Sequence, residues 1–80
     1  MLKDLSSEKR VVGIKQLRRA LADHQAKQVF LARDADPALI EPIETFCKEN
    51  HVLYQFVPTM RELGQACGIC VGAAAAATLQ

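Results

Sequence analysis

Two short apolar segments, each followed by a signal for a helix start, constrain the fold of this 80-residue chain most strongly. Residues 28–33 and 52–57 are rich in strand-forming side chains, and a proline-containing turn follows each of them. After the first, Asp36 is a good N-cap, and Pro37 suits the first helical position. Strands that alternate with helices of about ten residues are typical of α/β folds. The sequence therefore predicts an α/β fold.

Capping signals and apolar spacing predict three helices, over residues 14–22, 41–50 and 60–67. Pro42 cannot donate a hydrogen bond to the preceding helical turn, so we expect a short separate turn before the second helix. Thr59 and Glu62 have the spacing of a capping box, and Gly68 suits the end of the third helix. A further short helical turn is predicted over residues 2–9.

The alanine-rich segment 71–79 is ambiguous. Alanine favours a helix by intrinsic propensity. A central strand between two helix layers also needs small apolar side chains, and tertiary context overrides propensity easily. We therefore expect a strand here. The resulting fold is a three-layer α/β/α sandwich with a sheet of about four strands, in one domain covering residues 1–80.

The charge of the chain is unevenly distributed. Residues 1–19 carry a net charge of +4, and residues 20–80 carry −3. A basic end on a nearly neutral chain indicates one electropositive patch that faces an anion. The chain has only four aromatic residues, so stacking platforms for single-stranded nucleic acid are scarce.

The helix after Gly13 is the candidate for that patch. Its apolar residues fall on one face, and Lys15, Gln16 and Arg19 lie on the other, near the positive end of the helix dipole. Spacing alone also fits an ordinary solvated polar face. The choice between the two interpretations depends on evidence from elsewhere in the chain.

Location and redox state are expected from composition. The first twelve residues are charged throughout, unlike a signal peptide, and segment 68–79 is too short to span a bilayer. Three cysteines, an odd number, fit a reduced thiol set better than a disulfide framework. We expect a cytoplasmic protein that does not bind membranes.

Cys67 and Cys70 form a C-x-x-C motif, which suggests redox or zinc chemistry as an alternative. Cys67 closes a helix, whereas a redox cysteine normally lies at a helix start, where its pKa is lowered. A zinc site would need four ligands, and Cys47 and His51 are the other candidates. We expect no metal, no cofactor and no catalysis. A protein-interaction module with the same fold remains an open alternative.

Four segments together resemble one known family. They are Gly-Ile-Lys-Gln at 13–16 with Arg19, Ala-Arg-Asp-Ala-Asp-Pro at 32–37, Leu-Gly-Gln-Ala-Cys-Gly at 63–68 and Val-Gly-Ala-Ala at 71–74. The chain resembles the ribosomal proteins of the archaeal L-seven-Ae type and their small bacterial homologues, which bind RNA kink-turns. The resemblance implies an α/β/α sandwich around a mixed sheet, with the last segment as a strand.

The resemblance also implies roles at the start of the first helix. Family members carry Gly-x-Asn-Glu and then a Lys three residues later. Here Lys15, Gln16 and Arg19 stand at the Asn, Glu and Lys positions. Gly13 and Ile14 are implied to offer backbone N–H groups and a close approach. The implied partner is structured RNA with a kink-turn, in ribosomal RNA or a riboswitch-like leader, and the free protein is expected to be a monomer.

A second implied contact is the loop after residues 63–68, which in the family covers the base flipped out at the bend. The residues implied to form this contact and its pocket are Ile69, Cys70, Val71, Asp36 and Ile40. The chain also departs from the family pattern. Met60 and Gln65 replace cations found in many members, and Cys70 replaces an acidic or polar residue.

Overall fold

Strands and helices alternate along the chain in the computed structural model, which describes residues 9–69 and 71–80. The elements are β1 (Arg10–Val12), α1 (Ile14–Ala22), β2 (Ala26–Ala32), α2 (Pro37–Glu49), β3 (Leu53–Val57), α3 (Met60–Ala66) and β4 (Ala75–Leu79). The helical turn predicted over 2–9 lies outside the described residues, except for Lys9, which is not helical. No helix in the described part of the chain has the length and apolar character needed to cross a membrane.

The four strands form one mixed sheet in the order β1-β4-β2-β3. Strand β4 runs antiparallel to both β1 and β2, and β2 and β3 are parallel. Strands β1 and β2 therefore point the same way, so that β1, β2 and β3 all end at the same edge of the sheet. We call this edge the carboxyl edge. The predicted α/β fold with a mixed sheet of about four strands is confirmed.

Helices cover both faces of the sheet. In β2, side chains from both faces are buried, with Leu31 fully inaccessible and Phe30 only 5% exposed. Helices α1 and α2 each connect strands of the same direction, and right-handed crossovers place them on one face. A shared depression lined by Leu21, Ile43 and Phe46 shows that α1 and α2 are neighbours. Helix α3 packs against β2, β3 and β4 on the other face.

The alanine-rich segment forms a central strand, as expected. Ala75, Ala76 and Ala77 are fully buried, and β4 pairs on both sides, with Ala76 opposite both Val12 and Phe30. Burial between two helix layers favours the smallest side chains, which outweighs the helix propensity of alanine. The strand begins at Ala75, and the residues before it form a loop.

The second helix differs from the prediction. We expected a separate short turn before residue 41, but α2 is one continuous helix from Pro37, with Pro42 inside it. Both Pro42 and Ala38 are exposed, so the Ala38 carbonyl, which loses its helical donor, remains open to water. The cap is as predicted, because Asp36 accepts a hydrogen bond from the Ala38 amide at 2.9 Å.

The third helix begins as the capping box predicts. The hydroxyl of Thr59 accepts a hydrogen bond from the Glu62 amide at 3.0 Å. Helix α3 ends at Ala66, followed by Cys67 as the C-cap and Gly68 with a φ of 79°. Local sequence signals thus fix the turns at both ends of α3, and both turns bear on the candidate site.

Candidate nucleic-acid interface

Gly13 links the sheet to helix α1. Its amide donates a hydrogen bond to the Ala75 carbonyl at 2.9 Å, and its own carbonyl accepts from the Leu17 amide at 3.0 Å. Its φ of 102° and ψ of 154° belong to a region that is open essentially to glycine alone. The expectation that Gly13 offers its N–H to a partner is wrong, because that donor is already used inside the protein.

Among the described residues, no side chain caps the first turn of α1. Gly13 provides no side-chain cap, and the turn contains no acidic residue. The amides of Ile14, Lys15 and Gln16 precede the first helical hydrogen bond, which the Leu17 amide makes. These three donors and the positive end of the helix dipole are therefore not neutralised by a side chain within the helix.

The polar face of α1 is exposed in full. Lys15, Gln16 and Arg19 are exposed, whereas Leu17 and Leu21 are buried in the core. Gln16 and Arg19 also line a shallow groove of ≈ 370 Å³, whose remaining lining residues are Val11, Ala20, Asp23, Gln25 and Leu79. The three polar side chains predicted from the sequence are available to a ligand on one surface.

The loop between α3 and β4 lies beside this helix end. The Ala32 amide donates to Ala74 at 2.9 Å, and Ala75 accepts from Gly13, so the end of the loop is bonded between β2 and the start of α1. Val71 exposes 71% of its surface, although it is apolar. Ile69 is half-buried and packs against the core. Cys70 lies outside the described residues.

Close backbone contacts with α3 hold the described residues of this loop on both sides of position 70. A Cβ on Gly64 would overlap the Val71 carbonyl oxygen, so only glycine allows this approach. The Gly64 carbonyl accepts from the Ile69 amide at 3.1 Å. Met60 holds the other end, because its carbonyl accepts from the Ala73 amide at 3.0 Å.

Two residues of this framework were not identified from the sequence. Asp34 accepts a hydrogen bond from the Met60 amide at 2.8 Å and thereby ties the turn after β2 to the start of α3. In the sequence, Gly64 stands out only as part of the family motif at 63–68. An isolated glycine within a helical pattern is itself a signal of close packing, and this signal would have identified Gly64.

Asp36 and Ile40 differ in their access to a ligand. Asp36 is exposed at the start of α2, and its carboxylate is occupied in capping that helix. Ile40 is only 5% exposed and belongs to the core. Its side chain can form part of the floor of the pocket that the family resemblance implies, but it exposes little area to a partner.

The two described cysteines are buried free thiols. Burial raises the pKa of both Cys47 and Cys67. The nearby Glu44 carboxylate adds to the rise at Cys47, and the Arg10 guanidinium opposes it at Cys67. Protonated, buried thiols are poor nucleophiles and poor metal ligands. Among residues 9–69 and 71–80, no three His, Cys, Asp or Glu side chains are grouped to hold a metal ion.

Comparison with known proteins identifies the family. The chain matches the model of the Ribosomal protein L7Ae/L30e/S12e/Gadd45 family over residues 2–80. The chain belongs to this family. This match confirms the family resemblance inferred from the sequence. The curated relatives are bacterial, which confirms the small bacterial branch.

Two curated relatives are similar over most of their length. The chain is 44% identical over 78 residues to the RNA-binding protein YbxF of Geobacillus stearothermophilus, covering 98% of this chain and 95% of YbxF. It is 44% identical over 69 residues to an RNA-binding protein of Caldanaerobacter subterraneus, covering 86% of this chain and 84% of the relative. Neither name is that of an enzyme.

Solved structures share the fold. The 15.5kD RNA binding protein of Giardia lamblia superposes with a TM-score of 0.83 at 25% identity, over 90% of this chain. This chain spans 61% of the length of the Giardia protein. A protein of unknown function from Bacillus halodurans superposes with a TM-score of 0.81 at 19% identity and supports the fold alone.

Proposed function

We propose that this chain is an RNA-binding protein that recognises and stabilises kink-turns in structured RNA. The observation that carries the proposal is the start of α1. It has open amide donors, an exposed face of Lys15, Gln16 and Arg19, and an exposed apolar loop beside it. The names of the relatives support RNA as the partner. Family resemblance and the shape of this surface support a kink-turn as the RNA motif that the protein recognises.

The helix end fits the groove that a kink-turn opens. In regular A-form RNA the major groove is too narrow and deep for side chains to read. Tandem sheared G·A pairs at a sharp bend widen it, so that a helix end can enter. There the Gln16 amide would bond guanine edges, and Lys15 would reach a base edge or a phosphate. Arg19 would bind a phosphate through two parallel hydrogen bonds.

The loop supplies the apolar part of the interface. A base flipped out of the bend needs a cover that replaces its stacking partners, and the exposed Val71 side chain together with the half-buried Ile69 provides one. The contacts of Gly64 and Met60 hold Ile69, Val71 and Ala73 against α3 in the protein without RNA. A preformed cover loses little conformational entropy on binding, which favours affinity.

The experiment that tests the proposal compares two RNAs and three variants. Gln16→Ala and Arg19→Ala should each weaken binding to a kink-turn RNA far more than binding to a straight duplex. For Gln16 the loss should be about 1–3 kcal/mol if the amide reads a base. Arg18→Ala is the matched control, because Arg18 is exposed on the same helix but lines the depression towards α2.

Equal losses on both RNAs would contradict the proposal, because they would leave only general attraction between cations and phosphates. The same conclusion would follow if Arg18→Ala weakened kink-turn binding as much as Arg19→Ala.

A further inference from the structure

Arg33 lies on the same edge of the sheet as the start of α1. A row of backbone hydrogen bonds connects neighbouring strands along this edge. The amides of Gly13, Ala32 and Arg33 donate to the carbonyls of Ala75, Ala74 and Val57 respectively, each at 2.9 Å. Gly13 follows β1 and Arg33 follows β2, with only β4 between those strands. Two strand spacings separate β1 from β2 by about 10 Å, and Arg33 lies two residues further along than the level of Gly13.

The Arg33 side chain is held in place by an aromatic ring. Its guanidinium carbon lies 4.9 Å from the centroid of the Phe56 ring. That ring is itself fixed, because Tyr54 packs edge-on against it with centroids 6.2 Å apart, and the Tyr54 hydroxyl donates to Glu44 at 3.4 Å. Stacking engages the flat face of a guanidinium and leaves the N–H donors at its rim free.

The carboxylates nearest to Arg33 in sequence are engaged elsewhere. Asp34 accepts from the Met60 amide, and Asp36 accepts from the Ala38 amide. Within the described residues Arg33 makes no salt bridge, whereas Lys48 pairs with Glu44. Arg33 is exposed, and no carboxylate of the described residues takes up its N–H donors, so these donors are available to a ligand at the far side of the carboxyl edge from α1.

We propose that Arg33, positioned by Phe56, is a second phosphate contact for the same RNA. It would bind the backbone of a stem that flanks the bend and extend the footprint from α1 across the loop to β3. This inference rests on the proposed function, because it takes RNA as the ligand on α1. An RNA has a phosphate at every nucleotide, so a stem passing along this edge brings phosphates within reach of the guanidinium.

The test uses a matched pair of cations on one strand. Arg33 follows the last residue of β2, whereas the exposed Lys27 lies near its first residue, at the opposite edge of the sheet. Arg33→Ala should weaken binding to a kink-turn RNA with long flanking stems by about fivefold at moderate salt. It should also lower the slope of log K against log salt by about one. Lys27→Ala should change neither quantity.

A second variant tests the role of the ring. Phe56→Leu should weaken binding towards the level of Arg33→Ala, and the double variant should be no weaker than Arg33→Ala alone. Thermal unfolding of each variant separates lost contacts from lost structure. If the losses of affinity from the two single variants multiply in the double variant, Phe56 does not act by positioning Arg33.

The two proposals fail in different ways. If Arg33→Ala and Lys27→Ala bind the RNA equally well, the proposed phosphate contact of Arg33 is wrong, whichever RNA the wild type prefers. If the wild type does not distinguish a kink-turn from a straight duplex while Arg33→Ala still lowers the salt slope, the kink-turn proposal is wrong and the Arg33 contact stands.

Discussion

The carbonyl oxygen of Val71 lies against the α-carbon of Gly64, in the space that a Cβ would occupy. This contact holds Val71, in the loop before β4, against α3 and thereby sets the position of its exposed side chain. The loop thus owes its position to a missing side chain in the neighbouring helix.

Gly64→Ala should therefore displace the loop. Alanine improves helix propensity by about 1 kcal/mol, but the overlap with rigid backbone should cost about 1–3 kcal/mol. We expect a lower free energy of unfolding and about tenfold weaker binding to a kink-turn RNA, equivalent to about 1.4 kcal/mol. Gln65→Ala, at an exposed neighbouring position, is the control for urea unfolding and binding. Unchanged RNA binding by Gly64→Ala would show that the loop does not contribute.

Gly13→Ala should destabilise the protein through backbone strain. A Cβ on Gly13 would meet no atom within 4 Å, so steric overlap is not the cause. The backbone region of this residue is closed to side chains and should cost about 1–3 kcal/mol. Urea unfolding measures the loss directly. A variant as stable as the wild type would mean that the junction between β1 and α1 can adopt another conformation.

The buried thiols should make stability depend on alkaline pH. The pKa values of Cys47 and Cys67 are raised above the ordinary thiol value of 9.0 in the folded protein. Below that value both thiols are protonated in both states and contribute no pH dependence. Above it the unfolded chain ionises first, so the free energy of unfolding falls as pH rises towards the folded pKa.

The comparison that isolates this effect uses the double variant Cys47→Ala, Cys67→Ala. Urea unfolding is followed from neutral pH to about pH 10, where free thiols ionise. The wild type should lose more stability over this range than the variant does. Parallel curves would contradict the assignment of raised pKa values to these thiols.

Most of the fold was predictable because local signals and tertiary packing agree. Helix α1 has the predicted bounds, and the caps at Asp36 and Thr59 are as expected. The continuous α2 was not predicted, because the exposure of the carbonyl freed by Pro42 is a tertiary property. The alanine strand required an argument from burial between helix layers against intrinsic propensity.

The site was predictable to a smaller extent. Exposure of Lys15, Gln16 and Arg19 follows from helical periodicity. The internal use of the Gly13 amide does not, because its partner Ala75 is distant in sequence. The contact between Asp34 and Met60 likewise joins two turns that only the folded sheet brings together.

The most direct measurement is the affinity of the wild type for a kink-turn RNA and for the same RNA with its tandem G·A pairs replaced by Watson–Crick pairs. Both RNAs have the same length and phosphate charge, so general electrostatics cancels. We predict binding about 100-fold tighter to the kink-turn, equivalent to about 2.7 kcal/mol. Equal affinity for the two RNAs would contradict the account, because the start of α1 would then bind phosphates without recognising the bend.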